Sequence, residues 1–79
     1  MKINEFIAEL ERSLEGVQGG SLSGATLFRE LPVWDSLAAL STLSAVDTVF
    51  GIQMSGEQLK ACQTIQDVFD LAVRVRNGL

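Results

Sequence analysis

At 79 residues the chain has room for one domain, 1–79, and none for a second. Ten acids against six bases leave a net charge of −4, which argues against nucleic acid or an anionic membrane as partner, while 47% hydrophobic residues argue against disorder. With no His and only Cys62 for a thiol, it offers no His/Cys metal site, no disulfide framework and no Ser-His-Asp or Cys-His catalysis; the expectation is a non-enzyme that borrows another protein's chemistry.

Residues 3–15 read as the first helix. Ile3, Phe6, Ile7, Leu10 and Leu14 recur at spacings of three and four and predict one buried stripe. Glu5, Glu9, Glu11 and Glu15 read as a solvated face. Gly16 stops the helix, and Gly19, Gly20, Ser21, Ser23 and Gly24 open a loop that runs to about Trp34. That is unusually long for so small a domain. Leu22, Leu27, Phe28 and Leu31 are expected to pin the loop to the core.

The second helix is predicted over Ser36–Phe50. Pro32 resists helix at Leu31, Asp35 offers an N-cap, and Gly51 supplies the C-terminal stop. At about 100° per residue, Ala39, Leu43, Val46 and Phe50 share one narrow arc and are the expected core contacts. Leu37 falls on the opposite side among Ser41, Ser44 and Thr48, and Leu40 lies at the edge between the two faces. Ser55 and Gln58 form a capping box for a short third helix that carries Leu59 and ends near Ala61 or Cys62. Met54 reads as a gap-filler between the second and third helices.

Thr64 and Asp67 open the fourth helix, with Ile65, Val68, Phe69, Ala72 and Val75 as its apolar stripe and Arg74 and Arg76 in its last turn. The expected fold is therefore all-α: a four-helix bundle with a long first loop and a short third helix. The longest unbroken apolar run, Leu37–Leu40, is too short to insert into a membrane. The amino end carries an acidic amphipathic pattern rather than a secretory apolar block, so the expected location is cytoplasmic.

The informative triplet is Asp35-Ser36-Leu37. On its own it is ordinary capping grammar. Its surroundings add specificity: Phe50-Gly51-Ile52 begins fourteen positions after Ser36, and Thr64-Ile65-Gln66-Asp67-Val68 opens the last helix. With Asp35 as N-cap, Ser36 takes the first helical position with its hydroxyl free and outward. A phosphodiester there meets the positive end of the helix dipole. An exposed nucleophile with no base nearby stays inert until a partner enzyme supplies one.

This arrangement resembles the acyl carrier protein family, including its peptidyl and aminoacyl carriers, over about residues 3–75. In that family Asp-Ser-Leu starts the second helix, a Phe-Gly-Ile-type segment ends it, and a Thr-Val/Ile turn begins the fourth. The resemblance implies that Ser36 carries a 4′-phosphopantetheine arm through a phosphodiester. A separate holo-acyl-carrier-protein synthase, a phosphopantetheinyl transferase, moves the arm from coenzyme A using magnesium, and Asp35 helps it recognise the site and bind metal. Acyl intermediates are then held as thioesters, loaded by an acyl or aminoacyl ligase and passed to downstream transferases. Leu37 and Leu40 are the expected partner contacts, and the carrier is expected to be a monomer.

The chain departs from the family in two places. The usually acidic positions of the second helix hold Ala38, Ser41, Thr48 and Val49, leaving only Asp35 and Asp47. Leu31-Pro32-Val33-Trp34 stands where many relatives have Leu-Gly-x, with Trp34 expected as a hydrophobic lid over the start of the helix. Both departures point away from the housekeeping fatty-acid carrier. They suit a specialised stand-alone carrier, as in fatty acid or polyketide biosynthesis, surface-glycan acylation or aminoacyl transfer. Cys62 falls at a usually aliphatic position and reads as a buried small hydrophobe. The alternatives are an aminoacyl or peptidyl carrier for a dedicated ligase and a helical adaptor that keeps the fold without the arm.

Overall fold

Side chains that satisfy orphan backbone groups set the starts of three of the four helices in the computed structural model, which describes residues 2–78. Four helices result: α1 (Ile3–Ser13), α2 (Ser36–Phe50), α3 (Gly56–Lys60) and α4 (Ile65–Arg76). Ser55 and Gln58 cap α3 reciprocally, and Thr64 and Asp67 do the same for α4. Gly51 ends α2 in the left-handed region at φ 70°, where a side chain would be strained. The described residues contain no strand, only one isolated bridge between Leu27 and Thr64. The chain is an all-α bundle with a long first loop and a short third helix.

Two expected details differ. α1 ends at Ser13 rather than at residue 15, because Leu14 turns extended to bury its side chain, its amide making a last bond to the Leu10 carbonyl. Gly16 therefore serves the turn after the helix: at φ 81° it lies so close to Val33 that a Cβ would meet Cγ1 at 3.0 Å. The loop also contains a 3₁₀ turn, Phe28–Glu30, that the sequence pattern did not announce.

The buried face of α2 is rotated from the predicted arc. Val46 and Phe50 are buried as expected, but Ala39 and Leu43 are only half-buried, while Ala38, Thr42 and Ala45 are buried. α2 packs chiefly on α1, and small residues allow close approach of two helices. Thr42 is accommodated because its hydroxyl donates to the Ala38 carbonyl at 2.9 Å. Deeper in the core, Phe6, Phe50 and Phe69 form an aromatic triad with ring centroids 5.6–6.4 Å apart. Met54 is buried, in keeping with its expected role.

The loop is fastened both by buried side chains and through its backbone. Leu22 and Phe28 are buried and Leu31 half-buried, but Leu27 is 43% exposed and does not pin the loop through its side chain. Leu27 bridges Thr64 instead, and the carbonyls of Thr26 and Gly24 accept the amides of Ile65 at 3.1 Å and Gln66 at 2.9 Å. Two orphan donors of α4 are thereby satisfied by a distant segment.

Glu11 corrects the reading of the α1 glutamates as one solvated face. Its carboxylate accepts the amides of Gly20 at 2.9 Å and Leu22 at 3.1 Å, tying the start of the loop to α1. The Gly20 and Leu22 amides hold the Glu11 carboxyl below its ordinary 4.5, and the Thr64 and Gln63 amides hold Asp67 below its ordinary 3.8. A carboxyl depressed in the folded state stabilises the fold above its unfolded pKa and loses that contribution as pH falls through the folded one. Stability is thus expected to stay level from neutrality to about pH 4.5 and decline below it. Urea midpoints across that range should show a shallower acid limb in Glu11→Gln. An unchanged limb would remove the latch from this account.

Candidate functional site

The chain reaches α2 through Leu31-Pro32-Val33-Trp34. The Leu31 amide donates to the Phe28 carbonyl and the Trp34 amide to the Leu31 carbonyl, so two successive tight turns deliver Asp35. Trp34 is half-buried, its ring edge-on to Phe28 on the loop with centroids 5.0 Å apart.

Asp35 is extended, with φ −155° and ψ −170°, and its Oδ1 accepts the Ala38 amide at 2.8 Å. Its carbonyl takes the Ala39 amide at 3.0 Å, the first bond of the helix. The amides of Ser36 and Leu37 donate to no protein group among the described residues. Ser36 itself is exposed, and its hydroxyl makes no hydrogen bond among the described residues. One free hydroxyl and two open amides therefore share the positive end of a fifteen-residue helix.

Leu37 and Leu40 are each 63% exposed. One helical turn apart, they lie with exposed Ser36, Ser44, Asp47 and Thr48 on one outward face. Leu40 thus belongs to the surface rather than to the border expected for it, because the buried face has rotated toward Ala38 and Ala45. Asp47 is the face's single charge. A groove of ≈ 400 Å³ runs between the end of α1 and the start of α2, with Leu14, Glu15, Val33, Asp35, Leu37 and Ala38 along it; Ser36 does not line it. Its charged lining residues, Glu15 and Asp35, are both acids.

No group of three or more potential metal ligands occurs among the described residues. Cys62 is buried, and burial pushes its thiol up, as expected for a packing residue rather than a nucleophile. No helix among the described residues is long and apolar enough to cross a membrane. Arg29 was missed by the sequence reading. It binds carbonyls at the end of α3, thirty residues and more along the chain, and its only local signal is a cation directly after Phe28. No protein-family model matches the chain, and comparison with curated proteins and with solved structures returns no match.

Proposed function

We propose that this chain is a phosphopantetheine carrier protein with Ser36 as the attachment residue, serving a specialised acyl-transfer pathway of the fatty-acid or polyketide type. The observation that supports this most is the free, exposed hydroxyl of Ser36 beside two open amides. A phosphodiester formed on Oγ places its anionic oxygens where those amides and the helix dipole favour negative charge. The chain has no His, and among the described residues nothing accepts a hydrogen bond from the Ser36 hydroxyl, so in this reading the base that takes its proton belongs to the holo-synthase, which also engages Asp35.

The carrier does no chemistry itself. It tethers acyl cargo as a thioester and raises its effective concentration at partner active sites in the cytoplasm. Leu37 and Leu40 make the partner contacts. A second reading, an aminoacyl carrier, is favoured by the groove that Asp35 and Leu37 line at the start of α2, whose acidic lining suits a cargo bearing an ammonium group.

The test is intact mass after incubation with a broad-specificity holo-synthase, coenzyme A and magnesium. One added arm supports the carrier; no addition under any condition returns the chain to a plain helical adaptor. A second expectation follows from the single charge on the outward face. Electrostatic steering raises association rates by about 10–10³ and is lost with salt. Here stopped-flow association with the holo-synthase should change by less than about threefold between low and high salt. A steep salt dependence would place the docking surface elsewhere.

A further inference from the structure

Arg29 sits on the 3₁₀ turn of the loop and reaches across to the far end of α3. Its guanidinium donates to the Leu59 carbonyl at 3.4 Å, the Lys60 carbonyl at 3.2 Å and also the Cys62 carbonyl. These groups lie at and just beyond the C-terminal end of α3; the Leu59 carbonyl also accepts the Cys62 amide at 3.0 Å, and Arg supplies a rigid fork of donors that reaches all three. The same guanidinium lies over the Phe28 ring, 4.8 Å from its centroid. Phe28 in turn meets Trp34 edge-on, and Trp34 directly precedes Asp35 and Ser36.

At its amino end α3 is held by the Ser55–Gln58 capping box. Five residues are far too short to hold a helix unaided. The segment leading to it follows the left-handed Gly51, and Met54, Leu59 and Cys62 are its buried anchors. Its C-terminal end is closed by the Ala61 and Cys62 amides on the Gln58 and Leu59 carbonyls, and Arg29 is the side chain that ties it to the loop. The start of α2 leans on the same turn through Phe28 and Trp34.

We propose that Arg29 is a positioning residue that makes the placement of α3 and the start of α2 interdependent. Displacing α3 pulls on Arg29 and Phe28 and is felt at Trp34, Asp35 and Ser36; disturbing Trp34 loosens α3 by the same linkage. The inference does not rest on the carrier reading, because its signals come from the protein alone. The chain has one Trp and one Cys, and they stand at opposite ends of this series of contacts. A coupling between sites is reciprocal and is demonstrated by a double-mutant cycle rather than by proximity.

The experiment measures the alkylation rate of buried Cys62 and the emission of Trp34. Urea titration of every variant allows the share of labelling that passes through global unfolding to be subtracted. Leu59→Ala should shift the Trp34 emission, and Trp34→Phe should raise the Cys62 rate about threefold, a typical size for such coupling. Arg29→Ala should by itself raise that rate about tenfold through the loss of charge-assisted hydrogen bonds. In that background Trp34→Phe should add nothing, and Leu59→Ala should no longer move the emission. If Arg29→Ala does not fold, Arg29→Lys replaces it, since a point-like ammonium cannot serve the three carbonyls together. Equal effects of Trp34→Phe with and without Arg29, or an emission indifferent to Leu59→Ala, would overturn the proposal.

Discussion

Alanine at Ser36 should leave the bundle as stable as the parent and abolish attachment of the arm completely. The stability half follows from exposure. Ser36 has no hydrogen bond to lose among the described residues, and exposed substitutions away from special features stay within about 0.5 kcal/mol. The functional half follows from chemistry: with Oγ gone, no oxygen remains at the first position of α2 to form the phosphodiester. Asp35→Ala separates the two roles of the motif. Removing the Ala38 amide's acceptor should cost about 1 kcal/mol and fray the first turn, slowing modification without preventing it. Mass addition to Ser36→Ala would move the attachment to another hydroxyl, with Ser41 and Ser44 the next serines on α2.

Phe6→Ala should unfold the protein. Phe6 is wholly buried, and its ring faces both Phe50 and Phe69. Truncating a core phenylalanine costs about 3–5 kcal/mol through lost transfer energy and the cavity left behind. A chain of this size holds only about 3–5 kcal/mol in its core, so the change consumes essentially all of it. Circular dichroism at 25 °C should show a largely unfolded chain without a cooperative melt. Leu37→Ala, cut from an exposed face, should melt like the parent. A sharp transition in Phe6→Ala, only modestly lowered, would mean that the triad is not the centre of the core.

What was legible in the sequence was whatever depends on neighbours along the chain. Asp35 and Gly51 bound α2, and the boxes of Ser55 with Gln58 and Thr64 with Asp67 act within one turn; all four are visible as spacing. The exposure of Ser36 follows from its place after the cap. The remainder depends on contacts across the fold. Glu11 looks like its three neighbouring glutamates until the loop folds back on it, and Arg29 has no visible partner until α3 ends beside it. The rotation of α2 came from the same source. Helical spacing favoured Ala39 and Leu43, but packing of α2 on α1 buries Ala38, Thr42 and Ala45 instead.

The carbonyls of Gly24 and Thr26 that complete the first turn of α4 also impose a sequence of events on folding. α1 and α2 are built from near-neighbour contacts, and such contacts form fast. The amino end of α4 is different: it stays unfinished until a segment from the other half of the chain has closed onto it, against the entropy of a long excursion. Closure of this segment is therefore expected to come late in refolding. Residues 23–26, none of them buried, are expected to bear on how quickly the native state is reached more than on how tightly it is packed.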